Sequence, residues 1–541
     1  MKVSLRHSIA LVGVWLFLVV VSLLSRYYIP IDETRYVTVA WNMWIRGDFL
    51  VPYLNDYPYA HKPPLLFWLI HIGWVVFGVN DWWPRLVPSF FALASLFMTM
   101  RIANLLWPER DRLSRMSSII LFGSLLWMVF LTATMFDMLL AFFTLLGMFG
   151  LLTAWRGASL RGWLTVCLSI GLGLLAKGPT IFLQILPAAA LAPFWAKHSN
   201  PNWWNWYGSM LCAAAAGSLI ALTWAIPAGI LGGEAYRHEI FWGQTAGRVV
   251  DSFAHQRPVW WYCALMPVML FPWLFWGGVW QGLRKLRSSL NDAAVRFSLA
   301  WAFPVFLVSS FVSGKQAHYL LPVFPAFALL IARGLDDIEI IPGRMARLAV
   351  ALPLMLTGIV LISPHQLPAS VFPVEWSLHV PALSGIMLLF FGICLLVLKG
   401  RSMERQVWVI ASGSLSMVLI LHVALMQASG LSYDIRPISA KIKALQDAGI
   451  PLANNGKYHG QYQFAGRLLH SIEEVRFNQL AVWFDTHPGG RVIFYSGPDS
   501  DKSLGHADFV QPYRNGTVGI YSREALLAPH DEHGINIHYR P

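Results

Sequence analysis

The stretch IDETRYVTVA, residues 31–40, sets two acids and a base within four positions, just after Pro30 and a long apolar run. Asp32 is a candidate general base or orienting charge, with Glu33 and Arg35 beside it. The plainer reading of Asp32 is a helix N-cap. A cap leaves Arg35 unexplained, because Arg35 falls on the apolar side of the helix that follows. Tyr36, Val39, Ala40, Met43 and Trp44 recur at helical spacing, and Gly47 is a natural stop. About 14 residues are too few to cross a bilayer, so the segment reads as a helix lying flat on the membrane.

Other ionisable groups fall at the mouths of apolar runs. In YAHKPPLLFWL, residues 59–69, Pro63 and Pro64 break any preceding helix and hold Lys62 at the threshold of an apolar one. That position suits a grip on a lipid phosphate; it equally suits a lysine snorkelling from a helix end. The loop RHEIFWGQTAGRVVDSFAHQRPVWWY, residues 237–262, offers Arg248 and His255. The Arg248 guanidinium matches phosphate in fork geometry, against the alternative of a solvated loop with an aromatic belt. His61 precedes Lys62, Asp137 opens FDMLLAFF, Lys177 sits in LLAKGP, and Lys315 and His318 share the turn SGKQAHYLLP.

The elements that must position these groups are membrane helices. The chain of 541 residues is 56% hydrophobic and 13% charged, against about 25% charged in a soluble domain. Its mean hydropathy is +0.53. Apolar runs of about 18 residues or more recur along most of it, which predicts an all-α polytopic membrane protein. The net charge of +12 needs no nucleic-acid partner. Lys and Arg gather in loops 101–115, 155–161, 281–296, 333–347 and 399–405, which the positive-inside rule places in the cytoplasm. With the first span near 8–26 read as a retained signal-anchor, 64–79 as a segment that dips in, and 84–106 as a crossing, about 13 transmembrane helices result. Two of them are expected near 116–134 and 259–280. The candidate residues then all lie on the outer face. A channel or pump would string charges through the depth of the membrane; this pattern describes a chemical site opening outward.

The transmembrane domain is read as 1–429, with a first outer loop at 26–63 and a second at 232–258. Residues 430–541 read as a small α/β domain on the outer face, with a helix over ISAKIKALQDAGI and strands over RVIFYSG and TVGIYS. Cys167, Cys212, Cys263 and Cys394 lack metal-ligand spacing and read as packing residues. No nucleotide-binding motif and no internal repeat are evident.

Residues 32–96 closely resemble the first outer loop of bacterial lipid-donor glycosyltransferases of the GT-C fold. The nearest subgroup is the aminoarabinose transferases that modify lipid A, within the protein-mannosyltransferase-like superfamily. The resemblance is carried by Asp32-Glu33-Thr34-Arg35-Tyr36, Gly47-Asp48-Phe49, Pro52 with Asn55, Lys62-Pro63-Pro64-Leu65, Phe77-Gly78 and Arg85, then by Asp137, Lys177-Gly178-Pro179, GRVVDSFAHQRPVWWY and KQAHYLLPVFPAFALL. It runs over most of residues 1–335.

The resemblance implies the following. Asp32 is the essential acid. Lys62, Arg248 and Tyr319 lie at the donor phosphate, with Glu33, Arg35, His61, Asp137, Lys177, His255, Lys315 and His318 elsewhere around the cavity. The donor is a sugar on a polyprenyl phosphate such as undecaprenyl phosphate, and the acceptor is lipid A or another envelope glycan. The setting is the bacterial inner membrane, with the site and C-terminal domain facing the periplasm. Where near relatives carry a Glu before K-P-P-L this chain has His61, and their E-H pair ahead of the loop arginine is Gln244-Thr245. The relatives' metal-ligand pattern is therefore not retained; no cofactor is called for, and a divalent metal stays an open alternative. A lipid-linked sugar flippase and a protein O-glycosyltransferase of the same fold are the rival readings.

Overall fold

The computed structural model describes residues 5–196, 202–243, 256–368, 374–497 and 506–527. Its chain divides into two compact units: residues 1–25 with 60–425, and 26–59 with 426–541. Residues 26–59, most of the segment read as a first outer loop at 26–63, therefore group with the C-terminal segment, while 60–63 group with the helical unit.

The first unit is helical. Among the described residues, nine helices are long and apolar enough to cross a membrane, or ten if one bent pair is a single span. The protein is a multi-pass membrane protein. The segment expected near 116–134 is that bent pair: Asp111–Phe122 and Leu125–Leu131 meet at 66°. The break falls at Gly123-Ser124, a combination that recurs at sharp kinks. A Cβ on Gly123 would lie 2.8 Å from the Trp273 ring and 2.9 Å from Ala411, so only glycine admits this approach. Trp273 ties the kink by donating its indole N–H to the Ile120 carbonyl at 2.8 Å, and Leu125 N–H bonds to the Phe271 carbonyl. The segment expected near 259–280 is likewise broken, into Trp261–Met269, a short turn at Trp273–Phe275 and Gly277–Leu286. Pro272 has no N–H to continue the ladder there. Leu65–Phe77 is 13 residues, about 20 Å of helix, and falls short of the roughly 30 Å hydrocarbon core, as expected of a dipping segment.

The five basic loops are knitted together. Arg110 and Arg112 reach Asp336 at 2.8 and 2.7 Å, and Lys285 donates to the Asp337 carbonyl at 2.7 Å. Arg115 pairs with Glu404 at 2.9 Å, and Arg156 donates to the Leu105 carbonyl. Loops separated by hundreds of residues thus share one end of the unit, the arrangement the charge pattern requires if they lie on one side of a membrane.

The second unit carries a five-stranded sheet. With the hairpin of β1 (Tyr53–Leu54) and β2 (Tyr57–Pro58) counted first, its strands are β3 (Leu452–Asn455), β4 (Glu473–Val475), β5 (Arg491–Ser496), β6 (Phe509–Tyr513) and β7 (Gly516–Tyr521), in the order β4-β3-β5-β7-β6. β3 runs parallel to β4 and β5; β7 runs antiparallel to β5 and β6. Ile435, Ile438 and Ile442, on or beside the Arg436–Asp447 helix, pack with Ile493, Val518 and Ile520 on one face. Leu480, Trp483 and Phe484 pack with Val492, Phe494 and Tyr521 on the other. The expected helix and two strands are present. β3, β4 and β6 were not legible, being short or, at Gln511-Pro512, off the apolar alternation that marks a strand.

The helix expected to lie on the membrane spans Asp32–Arg46 and ends at Gly47, whose φ of +66° is the left-handed stop foreseen. Its surroundings differ from expectation. Tyr36 through Met43 are buried without interruption, and Thr38 and Trp41 donate to the carbonyls of Gly460 and Leu468 at 2.7 and 2.9 Å. Protein covers the face read as lipid-facing, because those polar groups find backbone partners on the C-terminal segment. Asn55, held at φ +50°, completes the docking: its amide donates to the Ile472 carbonyl and accepts from the Ile472 N–H, each at 2.9 Å. Asn55→Ala leaves both Ile472 groups buried and unmet, a cost of about 3 kcal/mol. The thermal unfolding midpoint of the purified protein should fall by several degrees; an unchanged midpoint contradicts this account.

Candidate functional site

The antiparallel pair Asp137–Trp155 and Ser159–Lys177 builds the centre of the site in the first unit. Each helix has 19 residues, so Asp137 at the start of one comes level with Lys177 at the end of the next. Gly178, at φ +72°, ends the second helix at that height. The ends suit the charges: a carboxylate at a helix N-terminus and an ammonium at a C-terminus are both favoured by the helix dipole. The two side chains form a direct ion pair, with 2% and 8% of their surfaces exposed.

Other predicted residues converge on this pair. The Lys177 ammonium lies 4.8 Å from the centre of the Tyr319 ring. Tyr319 stands edge-on to His318 at 4.9 Å, and His318 packs on Phe130 at 5.1 Å. The Lys62 ammonium lies 5.7 Å from the ring of Phe136, the residue before Asp137. Lys177, His318 and Lys62 all act on the Asp137 carboxylate electrostatically. Five predicted residues from four separate segments thus share one location: Lys62, Asp137, Lys177, His318 and Tyr319. Lys315 has a different part. It is buried and donates to the Arg257 carbonyl at 2.8 Å, while Arg257 N–H bonds to the Ser313 carbonyl, which ties two connecting segments together. His61 is exposed. Arg248 and His255 lie outside the described residues. Among the described residues, no group of three or more His, Cys, Asp or Glu side chains is placed to hold a metal ion.

The second unit holds the DETR residues. Asp32 does not cap its helix; Ile31 occupies that position and Asp32 is the first helical residue, its side chain about half exposed. Arg35 lies one turn on, with Nη1 3.9 Å from Asp32 Oδ1. Glu33 turns away into the protein. It forms a buried two-point pair with Arg26 and accepts the Ile29 N–H at 2.9 Å. Arg26 was missed by sequence reasoning; a lone arginine after an apolar run looks like an interfacial anchor. Its effect is to close residues 26–33 into a fixed bend that begins the helix and leaves Asp32, not Glu33, presented outward.

Solved structures share this fold. The chain superposes on the crystal structure of ArnT from Cupriavidus metallidurans bound to undecaprenyl phosphate with a TM-score of 0.75, over 96% of this chain and 99% of that one, at 19% identity. It also superposes on the Archaeoglobus fulgidus oligosaccharyltransferase with a TM-score of 0.50, over 90% and 70% of the two chains, at 11% identity. The fold is GT-C.

Residues 61–227, which include Lys62, Asp137 and Lys177, match the family model described as dolichyl-phosphate-mannose-protein mannosyltransferase. The chain is similar to the undecaprenyl phosphate-alpha-4-amino-4-deoxy-L-arabinose arabinosyl transferase of Erwinia tasmaniensis, 28% identical over 56% of this chain and 54% of that protein. The second such transferase of Pseudomonas fluorescens is 28% identical over 77% and 75%. The match to the Erwinia protein spans little more than half of its length.

A buried pair that loses one partner leaves an uncompensated charge, at about 3–5 kcal/mol. Lys177→Met should therefore destabilise the protein severely, and Lys177→Met with Asp137→Leu should recover much of the loss. Thermal unfolding of the two single and the double variants decides it: additive losses would mean the pair is not coupled.

Proposed function

We propose that this protein is a membrane glycosyltransferase that moves a sugar from a polyprenyl-phosphate donor to an acceptor at the outer face of the bacterial inner membrane. The sugar is of the 4-amino-4-deoxy-arabinose class, and the acceptor is lipid A or a related envelope glycolipid. The observation that carries this reading is the gathering of Lys62, Lys177, Asp137, His318 and Tyr319 at the ends of apolar helices, within a GT-C fold. A charge set so costly to place among membrane helices implies a charged ligand.

In the reaction, an oxygen of the acceptor forms a bond to the anomeric carbon of the sugar. The bond from that carbon to the phosphate oxygen breaks, and its electron pair leaves on the lipid phosphate. Charge grows on that phosphate, so a fixed cation aimed at it stabilises the transition state more than the ground state. Lys62 takes that part. Arg248 contributes as a second phosphate contact. Lys177, neutralised by Asp137 and stacked over Tyr319, holds the wall of the donor site. Asp32 meets the acceptor: it removes the proton of a hydroxyl acceptor, or orients one that is already ionised.

Lys62→Ala and Asp32→Asn should each lower turnover by at least a hundredfold in folded, membrane-inserted protein. The assay is release of polyprenyl phosphate from a purified lipid-linked aminoarabinose donor, with lipid A as acceptor. Normal turnover in both variants would remove the site assignment. Transport of the donor by the wild type without release of polyprenyl phosphate would make the protein a flippase.

A further inference from the structure

The helix Arg344–Ile362 begins in a way that local chemistry opposes. Its N-cap, Gly343, has no side chain to meet the first free N–H groups, and its first turn holds no acid. A helix start is electropositive and favours an anion. This one instead opens on Arg344, with Arg347 three residues on along the same side. Side chains on a helix lean toward its N-terminus, so the Arg347 guanidinium is directed back at the uncapped end. Arg347 is 3% exposed. Among the described residues, its Nε and Nη1 find no hydrogen-bond partner and no carboxylate lies within ion-pair reach. The acids at this end of the unit are held elsewhere: Asp336 by Arg110 and Arg112, Asp337 by Arg333, and Glu404 by Arg115. Glu339 is exposed. A guanidinium does not shed its proton, so a buried one without an acceptor is costly until an anion reaches it.

Neighbouring elements add to the positive field. A Cβ on Gly277 would lie 3.3 Å from Ala346, and one on Gly278 3.1 Å from Pro342, so the start of the Gly277–Leu286 helix meets the start of this one. That second start also lacks a side-chain cap and an acid. The Ala382–Val397 helix packs antiparallel to Arg344–Ile362: a Cβ on Gly358 would fall 2.7 Å from the Gly385 carbonyl oxygen, and one on Gly392 3.4 Å from that of Ala351. Its last residues therefore come to the end where Arg344 begins, with Lys399 and Arg401 just beyond them. The rim is apolar, since Met345, Leu348 and Leu398 are exposed.

We infer that Arg344, Arg347 and the two helix starts form a site for the headgroup of an anionic phospholipid, in the leaflet on the side of the basic loops. The lipid phosphate accepts from the Arg347 guanidinium, and the chains lie over Met345, Leu348 and Leu398. A free phosphate has the same charge and leaves those side chains uncovered. The Asp137–Trp155 helix runs from Asp137 to the basic loops, where Arg156 joins the Leu105 carbonyl. The lipid site thus stands at the opposite end of the helices from Asp137 and Lys177, and it does not depend on the proposed sugar transfer.

The test uses the full chain, delipidated in neutral detergent, as wild type, Arg347→Met and Arg344→Ala. The probes are phosphatidylglycerol, zwitterionic phosphatidylethanolamine and inorganic phosphate. Native mass spectrometry reads affinity, and thermal unfolding reads stability. Phosphatidylglycerol should bind the wild type about tenfold more tightly than phosphatidylethanolamine and raise its unfolding midpoint by several degrees, with inorganic phosphate leaving the midpoint unchanged. Arg347→Met should lose that preference. Its lipid-free midpoint should equal or exceed that of the wild type, because an unmet buried charge has been removed. Arg344→Ala, at an exposed position, should keep the lipid-free midpoint and bind phosphatidylglycerol severalfold more weakly. Equal effects of the two phospholipids on the wild type, or an equal effect of inorganic phosphate, would overturn the proposal. So would an Arg347→Met midpoint lowered alike with and without phosphatidylglycerol, which would make Arg347 a structural residue. Should Arg347→Met fail to fold, Arg344→Ala decides: a full preference for phosphatidylglycerol in that variant overturns the proposal.

Discussion

The ion pair between Asp137 and Lys177 is the interaction on which the first unit's site depends. A hydrocarbon environment solvates neither charge, so each is admissible only because the other is in contact with it. The pairing demands that two helices of equal length run antiparallel and finish level. Once they do, Phe136 and Tyr319 are fixed against the ammonium groups of Lys62 and Lys177, and His318 is fixed against Tyr319. The chemistry-bearing groups are in place because one costly pair had to be satisfied.

A second pair has the same logic in the other unit. Arg26 and Glu33 bury each other and close a bend of eight residues that starts the Asp32–Arg46 helix. The acid that turns inward spends its charge on structure; the acid beside it is left presented. Neighbouring carboxylates of the same motif thus have opposite roles. The C-terminal segment then receives residues 32–55 through hydrogen bonds from Thr38, Trp41 and Asn55 to its backbone, so the segment that looks like an appendage is the support on which Asp32 and Arg35 are held.

Much of this was legible in the sequence, for physical reasons. Membrane helices announce themselves because every residue in lipid must be apolar or paired. The basic loops could be grouped on one side by charge alone, and their side chains do meet. Gly47 stops its helix because only glycine takes the left-handed turn cheaply. Periodicity, in contrast, misread where the Asp32–Arg46 helix goes. An apolar stripe reports that something covers it and does not say whether lipid or protein does. The kink at Gly123 and the break at Pro272 were also hidden, since a long apolar run reads as one straight span.

By itself, the sequence determined the membrane class, the charge-sided loops, the helix stops and the short set of ionisable residues worth suspecting. Each of these follows from local chemistry: hydropathy, charge, or the conformational limits of glycine and proline. Only the tertiary structure decided which suspects stand together. Lys62, Asp137, Lys177, His318 and Tyr319 are spread over more than 250 residues, and no local rule says that they converge. Likewise only the fold separates Asp32 from Glu33, and sets Thr38 against Gly460 from more than 400 residues away. Those choices are made by long-range pairing of charges and hydrogen-bonding groups that must be met once buried, and such partners leave no mark in the residues next to them.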